Sequence, residues 1–147
     1  MRSRRAYIFA TLIVLAAAGV IAACSDSSGP SSFSCTGGTP NLAGTWSLYS
    51  LDQGAGAIGP PLAHGTFTFA GDSVAVALTV PIDTLGDTTN LAGAGKCTLT
   101  SKNITITNFA GLGDAAGTYT FKAGPPDTLR ASILSNVIPT SVVVTRP

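Results

Sequence analysis

Thr66-Phe67-Thr68-Phe69-Ala70-Gly71-Asp72-Ser73-Val74-Ala75-Val76-Ala77-Leu78-Thr79-Val80 decides the fold. Phe67 and Phe69 alternate with Thr66 and Thr68, and Val74, Val76, Leu78 and Val80 alternate with Ala75, Ala77 and Thr79. A strand sends successive side chains to opposite faces, so both halves present one apolar and one small or hydroxylic face. Gly71-Asp72 lies between them, and glycine supplies the positive φ of a tight hairpin turn. Two antiparallel strands with one wet face follow.

The same period of two recurs outward. Cys97 and Leu99, Ile104 and Ile106, Tyr119 and Phe121, and Leu129, Ala131 and Ile133 each alternate with Thr, Ser, Lys or Arg. A first strand over Gly44 to Leu51 and a last over Ser141 to Thr145 bring the expected number to eight. Ser101-Lys102 is a short link and Ala123 to Asp127 a longer turn. Asp52 to Gly65, Ile82 to Ala94 and Phe109 to Ala116 read as loops, with Ala115-Ala116 or Ser135-Asn136 able to form a helical turn. The expected fold is all-β. Alternation alone fits a two-sheet sandwich as well as a closed barrel, but short links between successive strands favour a small eight-stranded antiparallel up-and-down barrel. Closure removes exposed sheet edges, and an interior of this size is filled by side chains or holds one small ligand.

The chain opens with Arg2, Arg4 and Arg5, then runs uncharged from Ala6 to Ala23, ending Ile21-Ala22-Ala23-Cys24. Small residues directly before a cysteine resemble the lipobox of bacterial lipoproteins. That resemblance implies that residues 1–23 are a cleaved signal peptide and that Cys24 carries lipid, palmitate-type acyl chains among it, as a membrane anchor. One acyl chain holds a protein to a bilayer only marginally, whereas several anchor it stably. An uncleaved anchor is the alternative, because a membrane-spanning helix needs about 20 apolar residues. Both readings place the rest of the chain outside the cytoplasm, since the arginines stay inside. Ser3-Arg4-Arg5-Ala6-Tyr7-Ile8 is also similar to a twin-arginine export signal, although Phe9 stands where that pattern often has Lys, and ordinary Sec export with the arginines as a plain basic start is favoured. Ser25 does not resemble an inner-membrane retention signal. The implied address is the cell envelope: the outer membrane, facing the periplasm or the cell surface.

Beyond the leader, five basic residues oppose seven aspartates, a net charge of −2, and glutamate is absent. Such a weakly charged chain has no electrostatic footprint for nucleic acid. Residues 24–40 are rich in Ser, Gly and Pro and read as a flexible tether, with a reach of about 20–24 Å. Residues 41–147 form the expected barrel domain, a monomer. The cysteines number three. With Cys24 given to lipid, Cys35 and Cys97 remain in an oxidising compartment and are expected to pair. The alternative is a buried Cys97 and a free Cys35.

Asn41-Leu42-Ala43-Gly44-Thr45-Trp46-Ser47-Leu48, with Gly117-Thr118-Tyr119 as a later echo, resembles the opening motif of lipocalins and lipocalin-like domains. In that family the Trp closes one end of the barrel and a basic residue after the last strand packs across it. By this resemblance Gly44 and Trp46 close the barrel and Arg146 is the cation over the ring. Phe67, Phe69, Val76, Leu78, Ile104, Tyr119 and Phe121 would then line or fill the interior, with filling favoured. The chain is shorter than a typical lipocalin and has no C-terminal helical stretch or second lipocalin signature.

No catalytic constellation is legible. His64 is the sole histidine, between Pro60-Pro61 and Gly65, and no serine sits in a nucleophile-elbow context. Asp83 and Asp87 are too few carboxylates for a calcium loop and fit turn chemistry. Gly93-Ala94-Gly95-Lys96 lacks the rest of a phosphate loop. No metal site and no cofactor is expected, and no enzymatic activity. Two functions fit: a lipid-anchored envelope barrel binding a small apolar ligand, or an interaction module such as an inhibitor of a secreted protease, contacting its partner through the tether and the loop Asp52 to Gly65.

Overall fold

The computed structural model describes residues 31–82, 86–111, 113–135 and 139–147. The signal-peptide and Cys24 assignments, and the one at Asp83, lie outside these residues. Every element among them is a strand: β1 (Phe33–Ser34), β2 (Gly44–Asp52), β3 (Ala57–Ile58), β4 (His64–Ala70), β5 (Ser73–Pro81), β6 (Thr88–Leu99), β7 (Asn103–Thr107), β8 (Ala115–Lys122), β9 (Asp127–Ser135) and β10 (Pro139–Arg146).

β2, β4, β5, β6, β7, β8, β9 and β10 pair antiparallel in that order, and β10 returns to β2. The sandwich alternative is thereby excluded: this is a closed eight-stranded up-and-down barrel. β1 and β3 are additions, β1 on the end of β6 and β3 on the end of β2. The hairpin that decided the sequence reading is β4–β5, with Phe67 opposite Val76 and Phe69 opposite Val74.

The inner face is the apolar set of alternating residues. Phe69, Val76, Leu78, Ile104 and Tyr119 are buried in one cluster, and Phe67 and Phe121 are half-buried against it. One irregularity adjusts the alternation. Val143 is opposite Ser50 but Val144 is opposite Leu48, so Tyr49 is an extra residue in β2. The bulge shifts the parity of the strand, which lets both Leu48 and Leu51 point inward while Tyr49 stays exposed.

Two expectations need correction. Thr88–Ala94 belongs to β6, not to a loop, and pairs with Ala75–Pro81 of β5. Ala115-Ala116 is the start of β8 and not a helical turn, and Ser135 ends β9, while Asn136 lies outside the described residues. Gly93 and Gly95 share the inner face with Leu91, Cys97 and Leu99, and the buried ring of Phe109 lies over them. A Cβ at Gly93 would stand 2.5 Å from the Ala110 carbonyl oxygen, and one at Gly95 2.8 Å from that of Thr107. The glycines are therefore a groove for Phe109, which stands in the β7–β8 connection, as expected, with its ring buried. Gly95→Val is expected to destabilise by about 1–3 kcal/mol, the cost of overpacking a filled interior. A chemical-denaturation midpoint equal to that of the native chain would show that the groove is unnecessary.

Candidate functional site

The strands run alternately, which sorts the connections between two ends. The β4–β5, β6–β7 and β8–β9 turns, the start of β2 and the end of β10 share one end. The connections from β2 to β4, β5 to β6, β7 to β8 and β9 to β10 share the other.

The first end is closed by the segment between β1 and β2. It starts paired to β6, where the Cys35 N–H donates to the Cys97 carbonyl, and crosses to β2, three strands away around the barrel. Cys35 and Cys97 are joined as a disulfide with Cα atoms 5.5 Å apart. The Thr36 hydroxyl donates to the Gly71 carbonyl, and the Leu42 N–H to the Cys35 carbonyl. Leu42 itself is fully buried. Phe33 to Pro40, read from composition as tether, are thus attached to the barrel. Their serines, glycines and prolines gave no hint of this, because a disulfide and a few backbone bonds hold the segment in place of an apolar face.

Trp46 is fully buried beneath this strap. Its indole N–H donates to the Leu42 carbonyl at 2.8 Å, and Phe121 meets it edge-on at 6.3 Å between centroids. The Arg146 guanidinium lies 4.5 Å from the ring centroid, a cation–π contact. Arg146 is the last residue of β10 itself. It also donates to the Ala43 carbonyl and to the Asp127 carboxylate, the latter at 2.7 Å. Gly44 contributes differently: its φ of 109° is a conformation that L side chains rarely adopt, while the nearest side-chain atoms, on Arg146, are 3.9 Å from where a Cβ would sit. It turns the chain into the first strand and fills nothing.

The hydrogen bond from Arg146, and secondarily that from the Gly124 N–H, hold the Asp127 carboxyl below its ordinary value of 3.8. A carboxylate with a depressed folded pKa stabilises the fold above its unfolded pKa and loses that contribution as pH falls through the folded value. The closed end is expected to weaken only below about pH 4. In Asp127→Asn the acid limb of the unfolding midpoint should be shallower; superimposable pH profiles would exclude the linkage.

Tyr119 is also committed to this end. Its hydroxyl donates to the Thr100 carbonyl at 2.9 Å, and burial raises its pKa. With its polar atom satisfied by the β6–β7 turn, Tyr119 serves packing. Zero accessible surface at Trp46, Val74 and Leu99 leaves no water-sized space against any of them. The lower interior is therefore filled.

The second end differs. Leu62, Ile82 and Leu134 stand at or beside its rim, each more than 60% exposed. The rim loops are shaped by local turn chemistry: Asp52 accepts the N–H groups of Gly54 and Gly56, and Asp114 accepts that of Asn108. His64 begins β4, with Nδ1 3.3 Å from the Pro61 carbonyl oxygen. Among the described residues, no three His, Cys, Asp or Glu side chains converge as a metal site would require. Leu42 and Phe109 are the site residues the sequence reading missed. The Asn41-Leu42 of the quoted motif was the one available signal for Leu42; Phe109 had none, because its burial depends on glycines in a different strand.

Fold and site together define a small antiparallel barrel, stoppered at one end by a disulfide-tied strap over a Trp–Arg–Asp cluster. Compared with known proteins, the chain matches no family model, no curated sequence and no solved structure.

Proposed function

We propose that this chain is a lipid-anchored protein of the cell envelope, held through Cys24 in the outer membrane, whose barrel binds a small apolar ligand at the end away from the strap and catalyses nothing. The anchor is supported by cysteine use: the disulfide takes Cys35 and Cys97, and Cys24 stands outside it directly after Ala22-Ala23. The ligand class is supported by one observation, the exposed Leu62 and Ile82, next to adjacent strands β4 and β5, at the end of an apolar interior. Exposed aliphatic side chains grouped at a rim mark a binding region more often than scattered ones do.

Cys24→Ala is expected to move the protein from membranes to the soluble fraction. Full retention on membranes would rule out the lipid. Native mass spectrometry of the purified protein tests the ligand: a co-purifying lipid-like mass supports it, and its displacement by Leu62→Asp or Ile82→Asp would place it at the mouth. The second reading, an interaction module such as a protease inhibitor, is favoured by Leu62 alone. It projects from the connection between β3 and β4, next to Pro60-Pro61, as a side chain offered to a partner's pocket would. An empty barrel that captures an exported protease through this loop would select that reading.

A further inference from the structure

Charge is divided between the two ends of the barrel. All five basic residues after the leader lie in the closed half: Lys96 near the end of β6, Lys102 in the β6–β7 turn, Lys122 ending β8, and Arg130 and Arg146 on β9 and β10. Two aspartates accompany them, and both are engaged: Asp72 is 3.4 Å from Lys96, and Asp127 2.7 Å from Arg146. Lys102, Lys122 and Arg130 are exposed and have no ion-pair partner among the described residues. Lys122 and Arg130 sit diagonally on the outer face of the β8–β9 pair, where Thr120 and Thr128 help line a shallow cleft of about 190 Å³. The other half holds Asp52, Asp87 and Asp114 and no lysine or arginine. A chain with almost no net charge thus carries a dipole along the barrel axis.

The chain enters the fold at the positive end, since β1 is paired to the last residues of β6. Nine peptide steps from Cys24 to Phe33 span at most about 32 Å, however they are arranged. A chain fixed at Cys24 has its closed end within reach of the lipid surface, and the opposite end lies a strand length further along the barrel.

The geometry points to the closed end as a docking face for an anionic phospholipid surface, with Lys102, Lys122 and Arg130 meeting headgroup phosphates and the mouth turned away from the membrane. This rests on the lipid-anchor reading for its place in the cell, while the charge arrangement stands by itself. Basic side chains near an anionic leaflet are attracted strongly enough to change partitioning about fivefold each, roughly a hundredfold for three. The aspartates of the mouth are repelled from the same surface, which adds to the orientation. The attraction decays over a Debye length, about 8 Å at physiological salt and about 3 Å at 1 M.

Trp46 is the sole tryptophan and sits at the closed end, so it is a built-in donor for energy transfer to dansyl-labelled headgroups. The full chain is reconstituted with vesicles of phosphatidylcholine, with or without phosphatidylglycerol, and with a triple variant K102E/K122E/R130E alongside. Transfer is expected to rise with phosphatidylglycerol, to fall at high salt, and to lose its lipid dependence in the triple variant. The neutral triple variant K102Q/K122Q/R130Q should fall between. Variants and native chain share the same N-terminus at Cys24, so a difference between them isolates the barrel charges, and an unchanged Trp46 emission maximum shows that they fold. Equal transfer with both lipids, or equal behaviour of native chain and variants, overturns the docking face. Flotation separates this from the anchor: a chain that fails to float on phosphatidylcholine vesicles refutes lipidation, yet flotation on phosphatidylglycerol that the triple variant loses still supports the face.

Discussion

Trp46→Ala is expected to lower stability by about 3–5 kcal/mol, the range for truncating a large buried aromatic. For this residue three losses coincide. The ring is wholly buried, so its removal leaves a cavity bounded by Phe121 and Leu42. The Leu42 carbonyl loses the indole donor at 2.8 Å. The Arg146 guanidinium loses the face it stacks on, 4.5 Å away, while its bonds to Ala43 and Asp127 keep it in place. An acceptor stranded in a buried site costs about 1–3 kcal/mol by itself. Small domains have only about 5–15 kcal/mol in total, so the variant should be marginal at physiological temperature. Trp46→Phe keeps most of the ring and loses the N–H, and should fall between variant and native chain. Because Trp46 is the only tryptophan, the measurement is urea unfolding followed by circular dichroism. A midpoint within error of the native one for Trp46→Ala would remove this residue from any closing role.

The second large effect is expected from the double variant Cys35→Ser/Cys97→Ser. The bridge spans 62 residues of sequence, and in the chain-entropy picture closing a loop of that length stabilises by about 4 kcal/mol, by restricting the unfolded chain. The loss should appear without reductant and vanish with it, because reduction brings the native chain to the state of the variant. A second consequence is local. The strap has little apolar surface beyond Phe33 and Leu42, so without the bridge it depends on backbone bonds such as Cys35 N–H to Cys97 carbonyl. Amide exchange over residues 33–42 should quicken more than over β4–β5. Two thiols open to alkylation in the unreduced native protein would contradict the bridge, and a reductant-insensitive midpoint would contradict its stabilising role.

The eight barrel strands were legible because alternation of period two is written locally. Phe67-Thr68-Phe69 and Val74-Ala75-Val76 name their inner faces without reference to anything distant, and the short turns give their order. The strand formed by Thr88–Ala94 was not legible. Its glycines and alanines read as loop under a rule that looks for bulky alternating residues, and the reason for the small side chains, the ring of Phe109, arrives from a segment fourteen or more residues later. The bulge at Tyr49 was equally hidden, since it exists only as a mismatch in register between β2 and β10. The strap was masked by its composition. Cys35 signals attachment, but where the chain is attached depends on Cys97 in another strand.

The sequence by itself determined an all-β chain of eight one-sided strands and, once Cys24 is set apart, an even pair of cysteines. These follow from periodicity and counting, which act between neighbours, whereas the meeting of Trp46 and Arg146 was implied only by the resemblance to lipocalins. Only the tertiary structure decided that the strands close on themselves, that Leu42 and the disulfide-tied strap cover one mouth while Phe109 fills the wall near the other, and that the basic residues gather at the covered end. Closure is a property of register accumulated around the whole sheet, and the separation of charge is a property of strand direction. Residues as far apart as Lys96 and Arg146 share an end because each lies near the close of a strand running the same way.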